Sequence, residues 1–197
     1  GSIVELGVAD QLYENVGGGR FKPVSWTEGA FLDADGNRLQ EAPLDWGLAV
    51  AFRDINQDGW LDLYVCNDFT SPDRIWINQK NGSFRALPRA ALAKTSWSSM
   101  AVDFSDINRD GQDDFFVADM LSPDPVRRLT QTGNAQRPVT MEDLQMNRPQ
   151  VMRNTLFQNR GDGSWAEIAS WAGLSASEWT WSAIFCDVDL DGFEDLL

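Results

Sequence analysis

The run Asp187-Val-Asp189-Leu-Asp191-Gly192-Phe193-Glu-Asp195-Leu-Leu197 decides how the chain is read, because its pattern has already occurred twice. Asp54-Ile-Asn56-Gln-Asp58-Gly59-Trp60-Leu-Asp62 and Asp106-Ile-Asn108-Arg-Asp110-Gly111-Gln112-Asp-Asp114 share its register. All three fit Asp-x-Asp/Asn-x-Asp-Gly-x-x-Asp. Each is followed by a short apolar run (Leu63-Tyr-Val65, Phe115-Phe-Val117, Leu196-Leu197) and preceded by an apolar or alternating one that opens at Trp46, Trp97 or Trp179. Short runs of this kind, bounded by turn residues, predict strands on both sides of each acidic loop.

A second block recurs beside the first. Leu12-Tyr13-Glu-Asn15 with its glycines and Phe21 matches Ile75-Trp76-Ile-Asn78 through Phe84, and both match Leu156-Phe157-Gln-Asn159 through Trp165. A short apolar run, a Gly-rich turn and an aromatic read as a tight β-hairpin. The full unit is strand, acidic loop, strand, linker, strand, turn, strand. Four short strands per unit are what one propeller blade needs. The expected fold is therefore all-β: β-propeller blades of four antiparallel strands with calcium loops, here an incomplete set.

The repeat also divides the chain. Residues 1–45 are expected to end one blade and add a linker, 46–96 to form a blade with its loop, and 97–178 another. Residues 179–197 are expected to start a further blade, cut short. Asp54 and Asp106 lie about 52 residues apart, close to the ~40–50 of propeller blades. Asp106 and Asp187 lie about 81 apart, so the second interval carries an insertion of roughly 30 residues near 119–153. That stretch holds Pro123, Pro125, Pro138 and Pro149 together with five arginines. Within it, Thr140 to Met146 predicts one or two helical turns with Thr140 as N-cap. The insertion reads as a surface excursion, or as a binding loop.

The acidic loops point to a hard cation. Calcium takes six to eight oxygen ligands at about 2.3–2.6 Å with little directional demand. Side chains at loop positions 1, 3 and 5 can converge on one ion while glycine at position 6 makes the sharp turn. Position 7 then offers its carbonyl, and the Asp at position 9 closes the shell. The expected ligands are Asp54, Asn56, Asp58, the Trp60 carbonyl and Asp62; Asp106, Asn108, Asp110, the Gln112 carbonyl and Asp114; and Asp187, Asp189, Asp191, the Phe193 carbonyl and Asp195. The third set carries one more charge than the others, so it is expected to bind most tightly. An EF-hand is excluded, since it needs a glutamate at position 12, where Val65 and Val117 stand, and helices on both sides. One copy alone could equally be a metal-free Asp-Gly turn. Three copies in one register favour metal.

Composition removes other chemistries. The 197 residues include no histidine, which excludes Ser-His-Asp and Cys-His nucleophiles and His-containing zinc sites. Cys66 and Cys186 are too few for a four-Cys metal site, and either one disulfide or two free thiols remains open. A net charge of −14 argues against nucleic acid, which needs clustered cations. With 43% hydrophobic residues and nine tryptophans a packed core is expected, the tryptophans mainly between blades or, if exposed, stacked on sugar. No apolar run of 18 residues and no basic-then-apolar start occur, so neither a membrane span nor a signal peptide is expected here.

With these residues in view, the units resemble FG-GAP/VCBS-type repeats, as in integrin α-subunit propellers and, more closely, secreted bacterial proteins like cartilage acidic protein. The resemblance rests on the three loops with their following strands, on the hairpins ending at Asn15, Asn78 and Asn159, and on Ala172-Gly173-Leu174. It covers the chain except for the insertion. It implies blades with calcium between their first two strands, ions that are mainly structural, and a protein or carbohydrate ligand bound elsewhere on the surface. Trp46-Gly-Leu-Ala and Trp97-Ser-Ser-Met replace the integrin Phe-Gly…Gly-Ala-Pro signature, against integrin-like ligand recognition. The expected role is an extracellular adhesion or ligand-binding scaffold, not an enzyme, that contacts further blades or other copies. The alternatives are a calcium-dependent polysaccharide lyase and a structural subunit of a surface assembly or filament.

Overall fold

Strands and turns dominate the computed structural model, which describes residues 7–131 and 148–197. The segment from Thr140 to Met146, expected to be helical, lies outside the described residues. The first hairpin joins β1 (Tyr13–Gly17) to β2 (Arg20–Pro23). Next come β3 (Phe31–Leu32), β4 (Gly47–Arg53), β5 (Asp62–Asn67), β6 (Arg74–Asn78) and β7 (Phe84–Ala86), in one sheet of order β3-β7-β6-β5-β4. β8 (Thr95–Ser96), β9 (Ala101–Ser105) and β10 (Asp114–Ala118) lead into α1 (Pro125–Gln131). After it come β11 (Gln150–Val151), β12 (Thr155–Asn159), β13 (Trp165–Glu167), and the pair β14 (Phe185–Cys186) and β15 (Asp195–Leu196).

Two four-stranded antiparallel meanders stand out, β4-β5-β6-β7 and β9-β10-β12-β13. β14-β15 repeats the opening half of that arrangement around the third acidic loop. Two features go beyond the repeat pattern. β3 adds to the β7 edge in parallel, and β8 pairs in parallel with β11, which ties the far end of the insertion to the linker before β9. Among the described residues the insertion contains α1, whose start follows ordinary rules: Asp124 accepts the Val126 amide at 2.8 Å, and Pro125 occupies the first turn.

Central strands buried on both faces hold the sheets together. In β5, Tyr64 and Cys66 point into a core shared with Phe104, Phe115, Val117, Phe157 and Trp165 of the next sheet. Leu63 and Val65 alternate to the other face and pack with Trp26, Phe31 and Trp76. β10 repeats the scheme, with Phe115 and Val117 on the shared core and Phe116 and Ala118 facing Leu156, Ala169, Phe185 and Leu196. This period-two alternation with both sides apolar is what stacking sheet on sheet requires. Tyr64 of the first sheet meets Phe104 and Phe115 of the second edge-on, at 6.1 and 5.4 Å between ring centroids, so aromatic packing joins the two sheets. The tryptophans divide: Trp26, Trp76 and Trp165 are buried, whereas Trp60, Trp171, Trp179 and Trp181 are exposed. Both cysteines are free thiols, Cys66 buried in the shared core.

A polar tie crosses the same interface. Asp73, fully buried ahead of β6, accepts the Asn67 amide at 2.9 Å, the Tyr64 hydroxyl at 2.7 Å and the Ser99 hydroxyl of the next unit at 2.9 Å. Burial pushes its carboxyl up to about 7, although these three bonds favour the ionised form. In the second sheet the equivalent position is Asn154, which accepts the Asp119 amide at 2.7 Å. Between the ordinary aspartate range near 4 and about 7, the folded protein therefore holds a proton that the unfolded chain has released. Asp73 thus contributes stability at low pH that is lost as pH rises through about 7. Asp73→Asn is expected to remove a slope of at most about 1.4 kcal/mol per pH unit across that window. Urea denaturation of variant and parent at several pH values reads the difference, and parallel pH profiles would count against this account.

Candidate metal centre

The three acidic loops share one hydrogen-bond frame. The position-1 aspartate caps the turn: Asp54, Asp106 and Asp187 accept the amide of position 5 on Oδ1 at 2.9, 3.0 and 3.1 Å. Their Oδ2 atoms accept the position-6 glycine amide at 2.7, 2.8 and 2.8 Å. Asp58, Asp110 and Asp191 in turn accept the amides of Trp60, Gln112 and Phe193 at 3.0, 2.8 and 2.7 Å. Two residues per loop adopt left-handed backbone. Gly59, Gly111 and Gly192 at φ 88, 83 and 85° do so without strain, whereas Gln57, Arg109 and Leu190 at φ 56, 60 and 61° do so at a cost of about 1–2 kcal/mol. The same strained position recurs in all three copies, so the turn shape is common to them.

Position 9 plays a different part. Asp62 is buried; its Oδ2 accepts the Ile55 amide at 2.9 Å and its Oδ1 the Asn78 amide at 2.7 Å. Asp114 is equally buried and accepts the Asn159 amide on Oδ1 at 2.7 Å. Each carboxylate thus fastens the acidic loop to the hairpin two strands later. The hairpin asparagine completes the link, with its side-chain amide on the Leu61 carbonyl at 3.0 Å or the Asp113 carbonyl at 3.3 Å, and its Oδ1 capping its own turn. Asn78 and Asn159 belong to the loop architecture, a role that the reading of the motifs missed. Their signal was present in the recurrence of asparagine at 15, 78 and 159.

The electrostatics favour a cation. Burial pushes Asp114 up to about 6, with the neighbouring Asp110 and Asp106 adding to the rise against the Asn159 and Ile107 amides. Asp114 Oδ2 is buried without a hydrogen-bond partner among the described residues, whereas its counterpart on Asp62 is satisfied. Asn56 and Asn108 donate their side-chain amides to Asp58 and Asp110 at 3.1 and 2.8 Å, relieving crowded oxygens without an ion. Asp189 has no such donor. Oxygens of Asp187, Asp189 and Asp195 lie within 4.8 Å of one another, a convergence of three carboxylates found, among the described residues, only in this loop. Carboxylates that accept amides keep further lone pairs, and the loops offer only hard oxygen donors. The chemistry of the set fits a calcium-type ion, which positions 1, 3, 5, 7 and 9 would hold.

Neighbouring loops also touch. Gln57 donates to the Gly111 carbonyl at 2.6 Å, the Arg109 guanidinium lies 3.8 Å from the centroid of the Phe193 ring, and Arg53 makes a two-pronged pair with Asp113 at 2.5 and 3.0 Å. Asp103 accepts the Phe185 amide at 2.6 Å, joining β9 to β14. Asp33, which heads a weaker acidic stretch, instead caps a turn, accepting the amides of Asp35 and Asn37 at 2.9 and 2.8 Å.

Stacked four-stranded units, each with an acidic loop between its first two strands, define an all-β repeat protein. The family model for FG-GAP-like repeats matches residues 54–117 and 142–197, and the chain belongs to that family. No curated protein matches the sequence. Such repeats occur in β-propeller domains that bind ligands or mediate adhesion and are typical of extracellular proteins. Among the described residues no helix is long and apolar enough to cross a membrane.

Proposed function

We propose that this chain is a calcium-binding segment of an extracellular β-propeller that acts as an adhesion or ligand-binding scaffold, not as an enzyme. The observation that carries the reading is the threefold recurrence of one oxygen-lined loop, with convergence of three carboxylates in the last copy. The ions are structural. They offset repulsion among acids held together by the turn and lock the first two strands of each unit. Millimolar calcium outside the cell matches loops built from three or four carboxylates. The partner is a protein or a carbohydrate bound on the surface away from the loops.

Calorimetric titration of chelated protein with calcium tests this. Saturation near one ion per acidic loop is expected, the loop of Asp187, Asp189, Asp191 and Asp195 filling first. Absence of binding heat at millimolar calcium would sink the proposal.

A further inference from the structure

Cations are the minority charge, 16 Lys and Arg against 30 Asp and Glu, yet Arg74, Arg89 and Arg148 line one cavity of about 170 Å3 behind β6 and β7. This cluster lies apart from the acidic loops and does not depend on their metal. Arg148 donates from Nε to the Leu92 carbonyl at 3.0 Å and from Nη2 to the carbonyls of Leu87 and Pro88 at 2.6 and 3.3 Å. These acceptors orient the guanidinium without neutralising it. No carboxylate pairs with Arg148 among the described residues, and its Nη1 makes no hydrogen bond there. Burial accordingly pulls its pKa below the usual arginine value. Arg74 is held by Asp45 through Nε and Nη2, and its Nη1 makes no hydrogen bond among the described residues.

The remaining wall is mixed. Ile75, Trp76 and Leu87 supply apolar surface, and the buried Nε1 of Trp76 is a donor without a partner among the described residues. Asp73 is the acid in the lining, but its oxygens are taken by Tyr64, Asn67 and Ser99, and burial leaves it only partly ionised near neutral pH. The Arg148 guanidinium, held by carbonyls alone among the described residues in a partly desolvated cavity, calls for an anion. The Nη1 groups of the two arginines are N–H donors suited to the oxygens of a carboxylate. The apolar wall calls for carbon beside it, and the volume falls below the ~300–1,000 Å3 of ordinary ligand pockets, so the guest is small.

We propose that this cavity binds a small organic carboxylate, with its charged end on Arg74 and Arg148 and its carbon skeleton against Ile75, Trp76 and Leu87. The test is calorimetric titration of the whole chain with cyclohexanecarboxylate, with its neutral counterpart cyclohexylmethanol, and with sulfate. Saturable binding of the carboxylate is expected, about tenfold or more tighter than either control, as hydrogen bonds to a charged group imply. Arg148→Gln should weaken it by a similar factor. Because Arg148 also ties three carbonyls, Arg89→Gln serves as a second variant at an exposed position, expected to weaken binding about threefold with the circular dichroism spectrum unchanged. No saturable carboxylate binding by the folded parent, or equal binding of the alcohol, would overturn the proposal. Sulfate binding as tightly as the carboxylate would overturn the part assigned to the carbon skeleton.

Discussion

Calcium added to the chelated protein is expected to raise its melting temperature by about 5–10 °C for each acidic loop filled. An ion at about 100 times its Kd stabilises the fold by about 2.7 kcal/mol, and about 1 kcal/mol moves a domain of this size by 2–4 °C. The third loop should respond most, because Asp187, Asp189 and Asp195 crowd their oxygens with no asparagine donor between them. Asp189→Asn gives it the residue that Asn56 and Asn108 supply in the other loops. This variant should melt slightly higher than the parent in chelator, where repulsion is relieved, and gain less from calcium. Asp187→Ala should lose that loop's calcium increment altogether. Differential scanning calorimetry with calcium and with chelator measures both, and a parent indifferent to the two conditions would remove the case for metal.

Asp62→Ala is expected to cost about 2–5 kcal/mol even in the absence of calcium. The substitution strands the buried Ile55 amide and the Asn78 amide, which now meet Asp62 at 2.9 and 2.7 Å, and each unpaired group costs about 1–3 kcal/mol. Asp58→Ala is the contrast. Asp58 is half-buried in its loop, pairs with Lys80 at 3.4 Å and accepts the Trp60 amide. Its loss should matter mainly when calcium is present. Urea denaturation of both variants in chelator separates the two roles. Equal costs there would mean that the tie from loop to hairpin contributes nothing special.

The contrast between these two aspartates shows how far the motifs could be read. Register, spacing and the glycine at position 6 are local properties, and the structure places the left-handed turn at Gly59, Gly111 and Gly192 where the pattern required it. Strand alternation was legible too, since Leu63-Tyr-Val65 and Phe115-Phe-Val117 are apolar at every residue, as strands buried on both faces must be. Position 9 looked like one more ligand in a row of acids. That Asp62 and Asp114 are also the anchors of a hairpin depends on β6 and β12 folding back beside them, a contact across 16 and 45 residues. The strained left-handed residues at position 4 were equally hidden, because Gln57, Arg109 and Leu190 have nothing chemical in common.

The sequence by itself determined the repeat, the all-β class and the oxygen-rich character of the loops. Each follows from local spacing, the period of two along a strand and the chemistry of neighbouring side chains. Only the tertiary structure decided which acids share a space, which tryptophans are buried, and that Arg74, Arg89 and Arg148 meet at one cavity. Those outcomes depend on how one sheet stacks on the next. Burial and charge compensation are set by residues distant in the chain, and no local pattern encodes them.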